Sequence, residues 1–300
     1  VLQEFTHPDE DYPFSIIKSL SEIMIESGWK LSAIKRIGLG GRGLIAADLM
    51  TAFQIALPGV EWINSEGDLC YLRAQKSPAE IEIIRHAYKI AEVGFQAAIE
   101  AIEVGVSERA VAAEIDGAMR RAGSEGTGID TMVASGPNTR PILARSTFRQ
   151  IEQDSLVLLT IAPRYEGYHS AIGRVVLTGN PPQEIKQALD LAIEAQKACA
   201  RALRPGIEGR EIDSIGRKFF EEQGLEKHFL YSGVHSVGVI EFEPPIFGPS
   251  STAILKENMI ISIDIPMFNT PWGGLRVENG YLITKDGAEP LHHTPYQIKK

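Results

Sequence analysis

Only two of the 300 residues are cysteine, Cys70 and Cys199. They are too few and too far apart for a disulfide scaffold or a CxxC motif. A reduced, cytoplasmic setting with two unpaired buried thiols is the expectation. No apolar run approaches the roughly 18 residues a membrane-spanning helix needs. Positive charge is also short: 30 Lys and Arg stand against 39 Asp and Glu, a net charge of −9, which argues against nucleic acid and anionic membranes as partners. No secretory or transit segment is expected from the opening residues. Val1 rather than Met stands first, the mark of a processed chain or of a piece of something longer. What is present, 44% hydrophobic and 23% charged residues, is the composition of an ordinary soluble globular protein. The length allows one large domain of about 220 residues and a smaller piece.

The first 70 or so residues read as part of an α/β unit. Pro13–Ser27 has a helical apolar face (Ile16, Ile17, Leu20, Ile23, Met24), Ala33–Leu39 and Val60–Ile63 read as strands, and Leu44–Leu57 as a helix. Gly38-Leu39-Gly40-Gly41-Arg42-Gly43 matches GxGxxG, with Glu61 near the place of a ribose-binding acid. No mononucleotide-binding half follows it, so the expectation is a glycine-rich turn and no dinucleotide. At Ser77-Pro78-Ala79-Glu80 the texture changes to a well-signalled helix start. Ile81, Ile84, Tyr88, Ala91, Phe95, Ala98 and Ile102 then mark a long amphipathic helix, and Ile185–Leu203 repeats the plan. At an offset of about a hundred residues Ala91 matches Ala192, Gly105 matches Gly206, Arg109 matches Arg210 and Gly123 matches Gly224. Strand-like runs follow each helix pair: Asp130–Ser135 and Leu156–Ile161, then Val237–Ile240 and Met259–Ile263. The expectation is an α+β fold built by internal duplication, with a cleft at the pseudo-two-fold axis.

One imidazole and two carboxylates lie on three strand-like segments: His235 in Gly233–Gly238, Asp264 in Ser262–Pro266, and Glu278 in Gly274–Glu278. Pro266 is read as ending its strand. The order and local sequence resemble the pita-bread hydrolases, the family of prolidase, aminopeptidase P and creatinase. Leu72–Ile81, Ser135-Gly136-Pro137-Asn138-Thr139, Tyr165–Ser170, Arg204-Pro205-Gly206, Gly224, Glu243-Pro244-Pro245 and Gly287 carry the same resemblance in order, from about Phe5 onward. It implies a curved antiparallel sheet covered by helices over residues 73–300, with 1–72 the end of the family's N-terminal domain. It also implies a homodimer and a small-molecule or short peptide-like substrate.

In the metal-dependent members five ligands hold two divalent ions, and the resemblance places those ligands here at Thr160, Ala171, His235, Asp264 and Glu278. Two carboxylates are thus absent, which leaves either no metal or one divalent ion (Mn, Zn, Co or Fe) on His235, Asp264 and Glu278. Asp264 is one methylene shorter than the family's Glu, a reach deficit of roughly 1.5 Å. The family's two pocket histidines fall at Ile142 and Phe242, and Glu243 and Arg276 complete the expected pocket. His235 and Glu278 are the candidate catalytic residues. His235 stays open between a satisfied core histidine, a metal ligand and a metal-free catalytic or substrate-binding group; Glu278 stays open between function and pairing with Arg276 or another local cation. Tyr231, Phe242, Phe268 and Trp272 read as core or as pocket wall. His169 is expected on the surface and His292-His293 in an exposed tail. The resemblance implies a hydrolase of a small amide-type or other C–N bond with an altered site, or an inactive binding or scaffold module on the same fold.

Overall fold

The computed structural model describes residues 18–300; Ile16, Ile17 and the rest of the expected first helix before Lys18 lie outside them. The chain forms two compact units, up to Leu69 and from Cys70. In the first, helix α1 (Leu20–Glu26) starts on a capping box between Ser19 and Glu22. Strand β1 (Arg36–Leu39), helix α2 (Ala47–Ala56) and strand β2 (Glu61–Asn64) follow, and the strands pair in parallel through the helical crossover. The glycine-rich segment is the turn between β1 and α2. Gly41 takes a positive φ there and donates its N–H to the Glu66 carboxylate. Glu61 faces Arg36 at 3.1 Å on an exposed surface. Helix α3 (Glu66–Ala74) spans the division.

The second unit begins with α4 (Pro78–Ala101), capped as its sequence demands: the Ser77 side chain accepts from the Glu80 N–H and the Glu80 side chain reaches back. Then come α5 (Glu108–Arg121), β3 (Gly126–Thr127), β4 (Met132–Ser135), β5 (Ser155–Ile161), β6 (Pro163–Tyr165), β7 (Tyr168–His169) and β8 (Ile172–Thr178). The plan recurs with α6 (Gln183–Ala202), α7 (Gly209–Glu221), β9 (Val234–Ser236), β10 (Glu243–Ile246), β11 (Ile260–Thr270) and β12 (Gly273–Thr284). Two short strands, β13 (Gly287–Pro290) and β14 (Gln297–Lys299), close the described chain. One curled sheet runs β10-β9-β11-β12-β8-β5-β4, with β13 added on β12 and β14 on β8, antiparallel except for β14. Helix α6 lies on β11 and β12, and α5 on β4. Two apolar clusters sit between helices and sheet, one around Leu189, Cys199, Ile263 and Val277, the other around Ile84, Tyr88, Ile115 and Val176.

Several expectations need correction. Val237–Ile240 is a bend, not a strand; the strand is Val234–Ser236. The bend brings Gly238 so close to Glu243 that a Cβ would sit 2.3 Å from the carboxylate. Strand β11 does not stop at Pro266 but continues to Thr270. Its β9 pairing ends at Ile263, with a last bond from the Asp264 N–H to Gly233, so two residues later the missing proline N–H meets no neighbouring strand. His169 is buried, with Nδ1 at 3.2 Å from the Gly238 carbonyl.

His292 is buried too, stacked on Tyr88 at 5.6 Å, with Nδ1 at 2.8 Å from the Thr294 hydroxyl. Burial, then the Arg174 and His293 charges, hold it well below its ordinary 6.5. Unfolding lets His292 take a proton that the fold refuses, so this contribution is intact above pH 6.5 and is lost as pH falls below it. The midpoint of urea unfolding is expected to drop between pH 7 and pH 5, and less steeply in His292→Gln. Parallel curves for the two proteins would refute the assignment.

Candidate active site

Strands β9, β11 and β12 bring the candidate residues together by register. Asp264 pairs with Glu278 and Pro266 with Arg276, while His235 pairs with Ser262. Paired residues share a face of the ladder, so these side chains converge on one side of the sheet. Gly173 on β8 lies opposite Glu278, and a Cβ there would sit 2.9 Å from both Glu278 Cβ and Arg276 Cγ. Its bare backbone is what admits the two long side chains.

They floor a cavity of about 380 Å³, walled by Ile129, Ile142, Leu143 and Phe242. His235 and Glu278 are almost completely buried, with Nε2 and Oε1 3.5 Å apart. Ser262 donates to the same Glu278 oxygen at 2.7 Å, and His235 Nδ1 lies 2.9 Å from the Ser236 carbonyl. Phe242 stacks on the imidazole at 4.0 Å between ring centres. Asp264 accepts from the Tyr231 hydroxyl and lies 3.9 Å from Arg276 Nε. The Arg276 guanidinium donates to the Ile142 carbonyl at 2.7 Å and reaches Thr160 Oγ1 at 3.5 Å. Its face covers the Phe268 ring at 5.3 Å.

Burial by itself would raise the Glu278 carboxyl, but the His235 bond and charge, with Arg276 and Ser262, outweigh it and hold the group below its ordinary value. Burial opposes the His235 imidazolium, yet Glu278 and Glu241 raise it above the ordinary imidazole value. Asp264 is pushed up to about 6 by burial against the pull of Arg276, and Glu241 to about 7 by burial and the Glu278 charge.

Of the residues expected in the pocket, Ile142, Phe242, Arg276, His235, Asp264 and Glu278 line it, as does Thr160. Ala171 packs in the second apolar cluster. Glu243 does not line the cavity: its carboxylate is taken by Lys76 at 2.9 Å and by Arg73. Glu278 pairs with His235 and not with its neighbour Arg276. The acid found in the cavity in place of Glu243 is Glu241, and its ligand atom lies within 4.8 Å of those of His235 and Glu278. The expected strand Val237–Ile240 is a bend, and beyond it Glu241 reaches the cavity while Glu243 meets Lys76. Of the four aromatics weighed as core or wall, Tyr231 and Phe242 line the cavity, Phe268 belongs to the core, and the half-buried Trp272 packs against it.

This curled antiparallel sheet covered by helices is the pita-bread fold. The sequence profile of metallopeptidase family M24 matches residues 82–285, and the chain belongs to that family. Its sequence is 32% identical over 260 residues to the Xaa-Pro dipeptidase of Pyrococcus furiosus, covering 87% of this chain and 75% of the relative. The prolidase structure from Pyrococcus horikoshii OT3 superposes with a TM-score of 0.87 at 29% identity, over 96% of this chain and 84% of that one. The X-Pro aminopeptidase structure from Thermotoga maritima gives 0.83 at 26% identity, over 94% and 78%. Among the described residues no helix is long and apolar enough to cross a membrane.

Proposed function

We propose that the protein hydrolyses an amide or other C–N bond in a small, peptide-like substrate, using one divalent ion (Mn, Zn, Co or Fe) in place of the family's pair. The observation that supports this reading most is the buried His235–Glu278 contact at the floor of an apolar cavity. An imidazole and carboxylates together are a fitting donor set for one such ion. A second ion does not fit the residues present. Thr160 offers only a hydroxyl, Ala171 offers no donor, and the Arg276 guanidinium already brings a positive charge up to Thr160. When bound, the single ion would supply an acidified water and polarise the substrate carbonyl.

The chain's own groups do the rest. Ser262 and His235 fix the Glu278 carboxylate, the Ile142 carbonyl fixes Arg276, and Arg276 leaves a permanent positive charge beside the cavity. Such a fixed charge favours an oxyanion developing on the substrate. The Ile129, Leu143 and Phe242 walls exclude water and favour an apolar side group. Relatives named Xaa-Pro dipeptidase support a short peptide as the substrate class, and a cytoplasmic homodimer is part of the same reading.

A specific observation favours a second reading, a binding module without turnover. The two positions where the resemblance expects proton-handling histidines hold Ile142 and Phe242, and Phe242 lies flat on His235. Metal content by mass spectrometry after loading with Mn, Co, Zn or Fe(II), followed by a screen of Xaa-Pro dipeptides and small amides, separates the two. The expected result is a single ion per chain and turnover that disappears in His235→Ala and Glu278→Ala. Turnover that survives either substitution would sink the catalytic assignment. Tight small-molecule binding without turnover would establish the module instead.

A further inference from the structure

We propose that Glu241, rather than Asp264, is the third protein ligand of the single ion, and that the buried Lys76–Glu243 pair is the clasp that holds Glu241 there. The inference rests on the single-ion reading above. Donor atoms of His235, Glu241 and Glu278 converge to within 4.8 Å of one another, while Asp264 is not part of that group. Ligands of a four-coordinate ion with bonds of about 2.1 Å stand roughly 3.4 Å apart, so modest side-chain rotation closes the set. Asp264 Oδ1 is buried without a hydrogen-bond partner, but Oδ2 accepts the Tyr231 hydroxyl and faces Arg276, whose charge already compensates the carboxylate. Glu241 has no such partner: among the described residues nothing donates a hydrogen bond to its carboxylate or pairs with it. A largely buried carboxylate set beside a second carboxylate and an imidazole is a group in want of a cation.

Glu241 belongs to no strand, so something else must fix its place. Residues 237–242 form a bend between β9 and β10, and one ammonium closes it at both ends. Lys76 Nζ donates to Ser236 Oγ at 3.3 Å before the bend and to Glu243 Oε1 at 2.9 Å after it. The Glu243 carboxylate, in turn, accepts the Ile240 N–H inside the bend at 3.3 Å, as well as Arg73. Lys76 and Glu243 are each 1% exposed in their side chains, so the pair is shielded from solvent. They act as positioning residues: neither enters the cavity, and both determine where Glu241 points.

Titration of the purified protein with Mn(II), the free ion read by electron paramagnetic resonance, tests both halves without turnover. Glu241→Gln, which keeps shape, is expected to weaken Mn(II) binding at least 100-fold, and Asp264→Asn no more than about threefold. Lys76→Met/Glu243→Gln removes both fully buried charges together and leaves Arg73, 35% exposed, to the solvent. It is expected to cost about 10-fold in Mn(II) affinity and to speed amide exchange across residues 237–242 in the ion-free protein. Lys76→Arg, which keeps the charge, is expected to recover most of the affinity. Loss of binding in Asp264→Asn with Glu241→Gln unaffected would overturn the ligand assignment while leaving the single ion standing. Unchanged affinity and exchange in the double variant would overturn the clasp. No Mn(II) bound by the wild-type protein would overturn this inference together with the single-ion reading.

Discussion

Replacing Arg174 with methionine is expected to lower the free energy of unfolding by about 3–5 kcal/mol. Arg174 is 1% exposed, on β8, and no carboxylate neutralises it. Carbonyls and an amide do so instead. Its Nη1 donates to the backbone oxygens of Gly173 and Glu278, each at 2.7 Å, and Nη2 to Asn279 Oδ1 at 2.5 Å and Thr294 at 3.2 Å. Nε completes the set at 2.9 Å from the Pro295 carbonyl. One guanidinium thus ties β8 to β12 and pins the segment that leads into β14. Burial pulls its pKa down to about 10, which still leaves it charged at neutral pH. Methionine fills most of the volume but strands those acceptors in a dry interior, and each orphan costs about 1–3 kcal/mol. Lysine would keep the charge and still fail, because one ammonium cannot reach five acceptors in a plane. Urea unfolding measures the difference. Arg36→Met serves as control, since that pair is 67% and 65% exposed and worth under about 1 kcal/mol. A loss at Arg174 no larger than at Arg36 would show that water satisfies the stranded acceptors.

The helices were legible in the sequence because their causes are local. Ser77, Pro78 and Glu80 announce the start of α4, and the three- and four-residue steps from Ile81 to Ala98 mark the face that the structure buries. The repeated plan of helices and strands was legible for the same reason, and the family resemblance supplied the sheet. What escaped depends on contacts distant in sequence. Val237-Gly238-Val239-Ile240 has the composition of a strand, yet it bends, and its far end meets Lys76, 167 residues before Glu243. The acid expected in the pocket, Glu243, is taken by Lys76, and Glu241 lines the cavity instead. His169 and His292 look like surface residues by local rule, and only tertiary packing buries them. Pro266 reads as a strand end unless one knows that its N–H side faces no neighbour. Three residues picked from the sequence, His235, Asp264 and Glu278, come together in one cavity; that Glu241 lies there as well comes from geometry alone.

Glu108→Gln, a change of one atom, is expected to destabilise the second unit by about 2–4 kcal/mol and to loosen the wall of the cavity. Glu108 opens α5 and is completely buried. Its Oε1 accepts the Ser135 N–H at 2.6 Å and the Ser135 hydroxyl at 2.8 Å. Its Oε2 accepts Asn138 Nδ2 at 2.7 Å, the Thr147 N–H at 2.9 Å and the Thr147 hydroxyl at 2.7 Å. All five donors are neutral, so the carboxylate is stabilised by dipoles, with the α5 N-terminus adding its own. Glutamine keeps the shape, and therefore leaves no cavity. It nevertheless turns one acceptor into a donor that faces two or three other donors, and the charge-assisted strength of the remaining bonds goes with it. The loop so held, residues 135–147, carries Ile142 and Leu143 into the cavity and gives Arg276 its carbonyl anchor. Two signals should therefore move together in Glu108→Gln: a lower urea midpoint, and faster amide exchange at residues 135–147 before global unfolding. A lower midpoint with that loop still protected would mean that Glu108 stabilises the start of α5 alone. An unchanged midpoint would mean that the buried amide finds acceptors by rearranging the loop, and that the wall of the cavity is softer than its five hydrogen bonds imply.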